Sequence, residues 1–360
     1  MLEGIRVLDF TNYLPGPYAT LRLADLGAEI IKIEPPNGDP AQHLAGGLVY
    51  QANNRNKQSI RMDLKKSANI LALYELLSSV DVIIESFRPG VMKRLRLDYE
   101  NVKKIKSDII YCSLSGFGQK GKWAELGSHD LNYQALSGLL SQHKDREGRP
   151  IHPTFTTVDF AGGLATSEKV LAALLQRERT GKGSYLDVAL NDTLITMLTA
   201  HASYQTIQNN GYGPPYLDGS VLCYHIYPTK DQRFVSLAAL EPHFWANFCE
   251  AVGKQDWKSI AFAEAQNDNE PYKEIKAHFL TKTMDEWSDI GEKYDCCLFP
   301  VLEIEEVLKN PYGKSRGLVK YTNDKVTIFT SGTTPRTSAP TPGEHTASLV
   351  GIKKVERDEE

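Results

Sequence analysis

Over the first 120 residues, short apolar runs alternate with stretches whose apolar positions recur every three or four residues. Residues 4–10 (GIRVLDF), 29–33 (EIIKI), 81–85 (DVIIE) and 108–113 (DIIYCS) have the length and apolar density of buried strands. Residues 17–28 and 65–79 carry the helical period, and 89–95 begins a short helix with Pro89 in its first turn. The interval between the second strand and residue 65 reads as a polar loop. Strands alternating with helices predict βαβ units and a parallel sheet covered on both faces.

Beyond residue 120 the pattern is mostly helical. Residues 130–140 form one helix, and 160–179 a longer one entered through Asp159 and closed near Gly181. Residues 184–190 read as a strand and 192–208 as a further helix. The run Asn209-Asn210-Gly211-Tyr212-Gly213-Pro214-Pro215 breaks the pattern, and 191–215 is assigned as a linker. Two strands (221–227 and 233–240) then flank a Lys230-Asp231 turn, and three helices follow. This describes a smaller α+β domain over 216–312. Residues 313–360, rich in Pro, Thr and Ser with one strand at 325–329, read as an arm that needs another surface to pack on.

Composition narrows the class. Of 360 residues, 41% are hydrophobic and 24% charged, as in soluble globular proteins. The formal charge of −4 lacks the basic surplus of a protein that binds nucleic acid through its phosphates. No apolar run reaches the roughly 18 residues of a membrane span. The opening MLEGIRVLDF enters a strand pattern without signal-peptide anatomy. Cys112, Cys223, Cys249, Cys296 and Cys297 are scattered and odd in number, which fits reduced thiols in a cytoplasmic protein.

Several motifs suggest chemistry that their context does not support. Gly116-Phe117-Gly118-Gln119-Lys120-Gly121 fits the dinucleotide fingerprint, but no helix starts inside it, so a glycine loop beside a pocket is the better reading. The nine histidines show no metal-ligand pairing, so no metal site is expected. Neither a nucleophile elbow nor a phosphate-binding P-loop is found.

Three polar residues stand at suggestive places. His129 directly precedes a helix, where a cap or a core histidine is the ordinary role. Asp159 stands at a helix start, where an N-cap is the ordinary role. Glu241 ends a strand ahead of Pro242 and could also be only a capping carboxylate. None of the three justifies a catalytic role by itself.

Taken together, several blocks resemble the family III coenzyme A transferases, a superfamily that includes the α-methylacyl-CoA racemases. The resemblance is carried by Ala24-Asp25-Leu26-Gly27-Ala28-Glu29, Lys32-Ile33-Glu34-Pro35-Pro36, Asn54-Arg55-Asn56-Lys57, Glu85-Ser86-Phe87-Arg88-Pro89-Gly90, Ser115-Gly116-Phe117-Gly118-Gln119 and Gly343-Glu344-His345-Thr346. Within it, His129-Asp130-Leu131-Asn132-Tyr133, Val158-Asp159-Phe160-Ala161-Gly162-Gly163 and Leu240-Glu241-Pro242 resemble the racemase branch. The transferases share the Asp as a nucleophile but typically lack the His.

The resemblance implies a Rossmann-like large domain over 1–190, completed by about 330–360, and a smaller α+β domain. It also implies an interlocked homodimer with the site shared between chains, Glu241 of one meeting His129 of the other. His129 and Asp159 would serve as the two bases that move a proton across an enolate plane, and Glu241 would orient and charge-stabilise His129. Backbone N–H groups where Asp159 opens its helix would meet the enolate charge. Coenzyme A would enter as part of an acyl-CoA substrate, with no other cofactor, held by Met62, Leu64, Lys65, Ser86, Arg88 and Arg94. The racemases carry an Arg where this chain has Pro35, so no phosphate contact is expected there. The alternative activity is CoA transfer between carboxylic acids through an aspartyl-CoA thioester at Asp159.

Overall fold

β1 (Arg6–Phe10) lies at the middle of a six-stranded parallel sheet. In the computed structural model, which describes residues 1–145, 147–208, 213–322, 325–329 and 336–350, the chain runs on through α1 (Pro15–Asp25), β2 (Glu29–Glu34), α2 (Leu48–Asn53) and β3 (Lys57–Arg61). It continues through α3 (Ser67–Leu77), β4 (Val82–Glu85), α4 (Val91–Arg94), α5 (Tyr99–Val102) and β5 (Ile110–Ser115). Then come α6 (Asp130–Ser137), α7 (Thr157–Thr180), β6 (Ser184–Ala189) and α8 (Leu190–Met197). The strand order β3-β2-β1-β4-β5-β6 reverses direction of growth between β1 and β4. Ligands of such sheets bind outside the carboxyl ends of the strands at that switch point.

Alternation along each strand explains the two covered faces. Val7, Ile30, Val82, Ile84 and Ile110 pack with Leu23, Val170 and Leu174 on one side. Leu8, Ile31, Ile33, Ile83 and Tyr111 pack with Leu73, Leu77 and Val102 on the other. β3 is a strand that the hydrophobic pattern does not show. Its Lys57 and Ser59 are buried, and their polar atoms are paired inside the fold. Helices α1 and α7 cross closely because α7 carries Gly162-Gly163. A Cβ on Gly163 would stand 2.8 Å from the Pro15 carbonyl oxygen, and one on Gly162 would meet Leu190 at 2.1 Å. The small residues after Asp159 therefore set how near the start of α7 lies to its neighbours.

The chain divides into two compact units, Met1–Leu198 with Arg316–Glu360, and Thr199–Ser315. The stretch 191–215, read as a linker, includes most of α8 and all of α9 (Thr199–Gln208), and the division falls between these helices. Residues 209–212 lie outside the described residues. The second unit holds an antiparallel sheet, β7 (Tyr224–Pro228), β8 (Phe234–Ala238) and β9 (Leu298–Pro300), in sequence order. Its helices are α9, α10 (Pro242–Ala251), α11 (Glu270–Phe279), α12 (Met284–Tyr294), α13 (Ile304–Lys309) and α14 (Pro311–Ser315). Trp257, Trp287, Phe248 and Phe279 fill its core.

The C-terminal segment forms a hairpin, β10 (Val319–Thr322) with β11 (Lys325–Ile328), and then packs within the first unit. Asn56 Oδ1 accepts the Arg336 and Thr337 N–H groups at 2.7 and 3.0 Å. Ser59 Oγ accepts the Gly343 N–H at 2.7 Å, and α15 (Thr346–Val350) follows beside β3. The matched blocks around Asn56 and Gly343 thus have a structural reason to occur together.

Candidate functional site

β5 ends at Ser115, and the chain crosses the glycine loop to reach His129 at the N-cap of α6. The His129 N–H donates to Asn132 Oδ1 at 3.0 Å, and its carbonyl accepts the Asn132 N–H at 2.9 Å. These bonds fix the backbone, while the residue is exposed. No helix begins within residues 116–121. The loop instead borders a cleft of about 430 Å³ lined by Phe117, Lys120, Trp123 and Asn191 among others.

Asp159 is placed differently from the expectation. Helix α7 begins at Thr157 with Thr156 as its N-cap, so Asp159 is the third helical residue rather than the cap. The capping is done from α6. Asp130 Oδ1 accepts the Val158 N–H at 2.7 Å and the Asp159 N–H at 3.2 Å, and Asp130 Oδ2 accepts from Gln134 Nε2 at 2.5 Å. A carboxylate at a helix N-terminus satisfies orphan donors and complements the helix dipole. This link brings the residue next to His129 onto the amide of Asp159, so the start of α6 and the first turn of α7 are tied together although 29 positions apart in sequence.

The expected enolate donors are also corrected. In the first turn of α7 the Thr157 N–H goes to the Phe155 carbonyl, those of Val158 and Asp159 go to Asp130, and that of Phe160 goes to the Thr156 carbonyl. All four are engaged. At the start of α6, by contrast, the Asp130 and Leu131 N–H groups have no acceptor among the described residues. The donors available for developing negative charge therefore lie beside His129, not at Asp159.

The Asp159 carboxyl accepts no hydrogen bond among the described residues. Burial pushes its pKa up, and the Asp130 carboxylate pushes it further, to about 7. Both effects disfavour the anion. Asp130 is a site residue that sequence reasoning does not select. Its adjacency to His129 is visible in the sequence, but its bond to a helix 28 residues away is not.

Glu241 belongs to the second unit and stands at the N-cap of α10, with Pro242 at N1 as expected. Its carbonyl accepts the Phe244 and Trp245 N–H groups at 3.1 and 3.2 Å, but its side chain caps nothing. The residue is exposed. Burial and, secondarily, the Glu241 charge raise the Cys297 thiol above its ordinary range.

The coenzyme candidates fall into two groups at the carboxyl end of the sheet. Ser86, Arg88 and Arg94 follow β4. Ser86 Oγ accepts the Asn12 N–H at 3.3 Å, which ties the turns after β1 and β4 together at the switch point. A Cβ built on Gly127 would meet Arg88 Nη2 at 3.0 Å, so this guanidinium lies against the loop just before His129. Leu64 and Lys65 follow β3, on the far side of β2 and β1. Lys65, Arg88 and Arg94 are exposed, without an acidic partner among the described residues. Met62 is 3% exposed and packs in the core, so any ligand contact there falls to its main chain.

These features define an α/β fold whose sheet order and switch-point loops suit a nucleotide-bearing ligand. The model of CoA-transferase family III matches residues 2–347, and the chain belongs to that family. It is 32% identical over 321 residues to the alpha-methylacyl-CoA racemase of Homo sapiens, covering 88% of this chain and 81% of that protein. It is 32% identical over 335 residues to the succinyl-CoA:glutarate CoA-transferase of Mus musculus, covering 89% and 77%. The crystal structure of Rv3272 from M. tuberculosis superposes with a TM-score of 0.83 at 28% identity, over 97% of this chain and 98% of that one. Racemases and transferases are thus about equally similar to it. Among the described residues no helix is long and apolar enough to cross a membrane.

Proposed function

We propose that this enzyme epimerises the α-carbon of 2-methylacyl-CoA thioesters by two-base proton transfer. The observation that supports this most is the Asp159 carboxyl, whose pKa burial raises to about 7, in a helical turn tied through Asp130 to the helix that His129 opens. A proton shuttle works best when its pKa matches the working pH, because both protonation states are then populated. A nucleophile must be ionised, so the same environment handicaps the transferase role. In one direction His129 removes the α-proton and the Asp159 carboxyl returns one to the opposite face; in the other the roles exchange. The enolate oxygen is met by the free Asp130 and Leu131 N–H groups. Glu241 is the third proposed catalytic group. Arg88 and Arg94, with Lys65, bind the phosphates of the coenzyme, which enters with the substrate and is the only cofactor-like group required.

The test is incubation of the protein with a 2-methylacyl-CoA in heavy water without any acceptor acid. Deuterium is expected at the α-carbon, with mass rising by one unit and both configurations present at equilibrium. Absence of α-deuterium with several such thioesters, together with CoA moving to an added carboxylate, would make the protein a transferase.

We also propose a homodimer with interlocked chains. Supporting it, the outer face of the β7-β8-β9 sheet leaves Ile226, Phe234 and Phe299 exposed at 59, 49 and 67%. Three large exposed apolar side chains on one sheet face, with only Ser236 between Ile226 and Phe299, support a contact surface there. Interlocked chains do not separate by mass action, so sedimentation at nanomolar concentration should show one dimeric species. A folded monomer growing in with dilution would sink the interlocked arrangement.

A further inference from the structure

The glycine loop between β5 and α6 borders a cleft of about 430 Å³ that the proposed chemistry does not use. It lies wholly within the first unit, between residues 117–123 and the first turn of α8. None of the residues assigned above to the thioester or to the coenzyme lines it. Its volume is within the range of small-molecule sites. One wall is aromatic. Trp123 is 43% exposed, and the Phe117 ring meets it edge-on at 5.9 Å. Phe117 is braced in turn by the buried Tyr133 at 5.5 Å, so the indole stands on the core and still has an open surface.

The rest of the lining is polar and unpaired. Asn191, the second residue of α8, is 5% exposed. Its N–H donates to the Gly116 carbonyl at 3.1 Å, but its side-chain amide has no hydrogen-bond partner among the described residues. A buried amide left unpaired costs free energy that a bound partner recovers. Asp192 beside it is exposed and without an ion pair among the described residues, and so are Lys120 and Lys122. The N–H groups of Lys120, Gly121, Lys122 and Trp123 also have no acceptor among the described residues. Successive free N–H groups beside two ammoniums favour an anion.

The cleft thus presents an aromatic surface, an unpaired amide, one carboxylate and two ammoniums. A nucleoside phosphate carries the complement of each. Its base stacks on an indole and pairs with an amide, its ribose hydroxyls donate to a carboxylate, and its phosphate accepts from ammonium and N–H groups. An acyl chain would leave the polar groups unmet, and an inorganic anion would leave the indole and the amide unmet. We propose that this cleft binds a nucleoside monophosphate as a ligand separate from the acyl-CoA substrate, with the base on Trp123, the ribose at Asp192 and the phosphate at Lys120 and Lys122.

Trp123 makes the test direct. The other three tryptophans, Trp245, Trp257 and Trp287, are 2, 1 and 0% exposed, so a base stacked on Trp123 should quench the one exposed indole. The whole protein would be titrated with AMP, GMP, CMP and UMP. At least one should quench saturably, and its nucleoside should bind about tenfold more weakly. Calorimetry on Lys120→Gln combined with Lys122→Gln should bring the nucleotide down to the affinity of its nucleoside and leave the nucleoside unchanged. Trp123→Leu should weaken both about tenfold. All three side chains are exposed, so these variants should fold, which circular dichroism checks. Arg88→Gln, which removes a proposed coenzyme contact, should weaken coenzyme A and leave the nucleotide unchanged. Quenching by none of the four, or a nucleoside that binds as tightly as its nucleotide, would overturn the proposal. Inorganic phosphate binding as tightly as the nucleotide would also overturn it, since the cleft would then be an anion site only. So would an equal loss of nucleotide and coenzyme A in Arg88→Gln, because the nucleotide would then occupy the coenzyme's own place. Binding is read rather than turnover, so the result stands apart from the outcome in heavy water.

Discussion

Asp159→Asn should collapse inversion of configuration by 10²- to 10⁴-fold, the usual contribution of a positioned general acid or base. The amide keeps the shape of the side chain and loses the proton. His129 can still remove a proton from its own face, so one configuration of substrate should continue to take up deuterium slowly. His129→Ala should show the complementary pattern, with the other configuration retained. The native pH profile of kcat/KM should inflect near 7, where the Asp159 carboxyl titrates, and Asp159→Asn should lose that inflection. Stability should follow the same group. Its folded pKa lies above its unfolded value, so it stabilises most below about pH 4 and that benefit is lost as pH rises through 7. Asp159→Asn should therefore gain Tm relative to the native protein above pH 7 and gain nothing below pH 4. A covalent adduct trapped at Asp159 by hydroxylamine would refute the shuttle, because a proton carrier forms no bond to the acyl group.

The largest effect on stability is expected from Lys57→Met. Lys57 Nζ is fully buried and donates to Thr20 Oγ1 at 2.7 Å, Asn54 Oδ1 at 2.8 Å, the Pro17 carbonyl at 2.9 Å and Asp9 Oδ2 at 3.2 Å. Lys32, equally buried, pairs with Asp39 at 2.9 Å. Removing one partner of a buried ion pair leaves the other charge uncompensated and typically costs about 3–5 kcal/mol. For a unit of this size that corresponds to a fall in Tm on the order of 10 °C. Asp9→Leu combined with Lys57→Met should recover much of the loss, because an apolar pair needs no partner. Burial alone would raise the Asp9 pKa, but Lys57, Lys32 and the Thr11 and Thr20 hydroxyls together hold it below the ordinary carboxylate range. This contribution is thus present above the unfolded Asp pKa near 4 and is lost as acid protonates the folded carboxylate. Thermal melts that match the native protein would show that the network carries no net stability.

The apolar runs of β1, β2, β4 and β5, with helices between them, determined the parallel α/β sheet, because strands buried on both faces are mostly apolar, and the buried Asp9 and Lys32 among them are paired inside the fold. β3 carries Lys-Gln-Ser-Ile-Arg and escaped that logic. Its polar side chains are buried against Asp9, Asn54 and Glu34, partners that sequence spacing cannot reveal. His129, Asp159 and Glu241 were legible as residues that resemble a family's blocks, and Pro242 as the first residue of a helix. Their local roles were not. An Asp at a helix start is ordinarily read as a cap, since its carboxylate satisfies the first N–H groups. Only the tertiary structure places the Asp130 carboxylate on those N–H groups instead, leaving the Asp159 side chain unbonded, and burial together with the Asp130 charge raises its pKa. Burial of the Asp159 carboxyl, with a cap supplied from 28 residues away where two helices meet, is what turned an expected cap into a titrating acid.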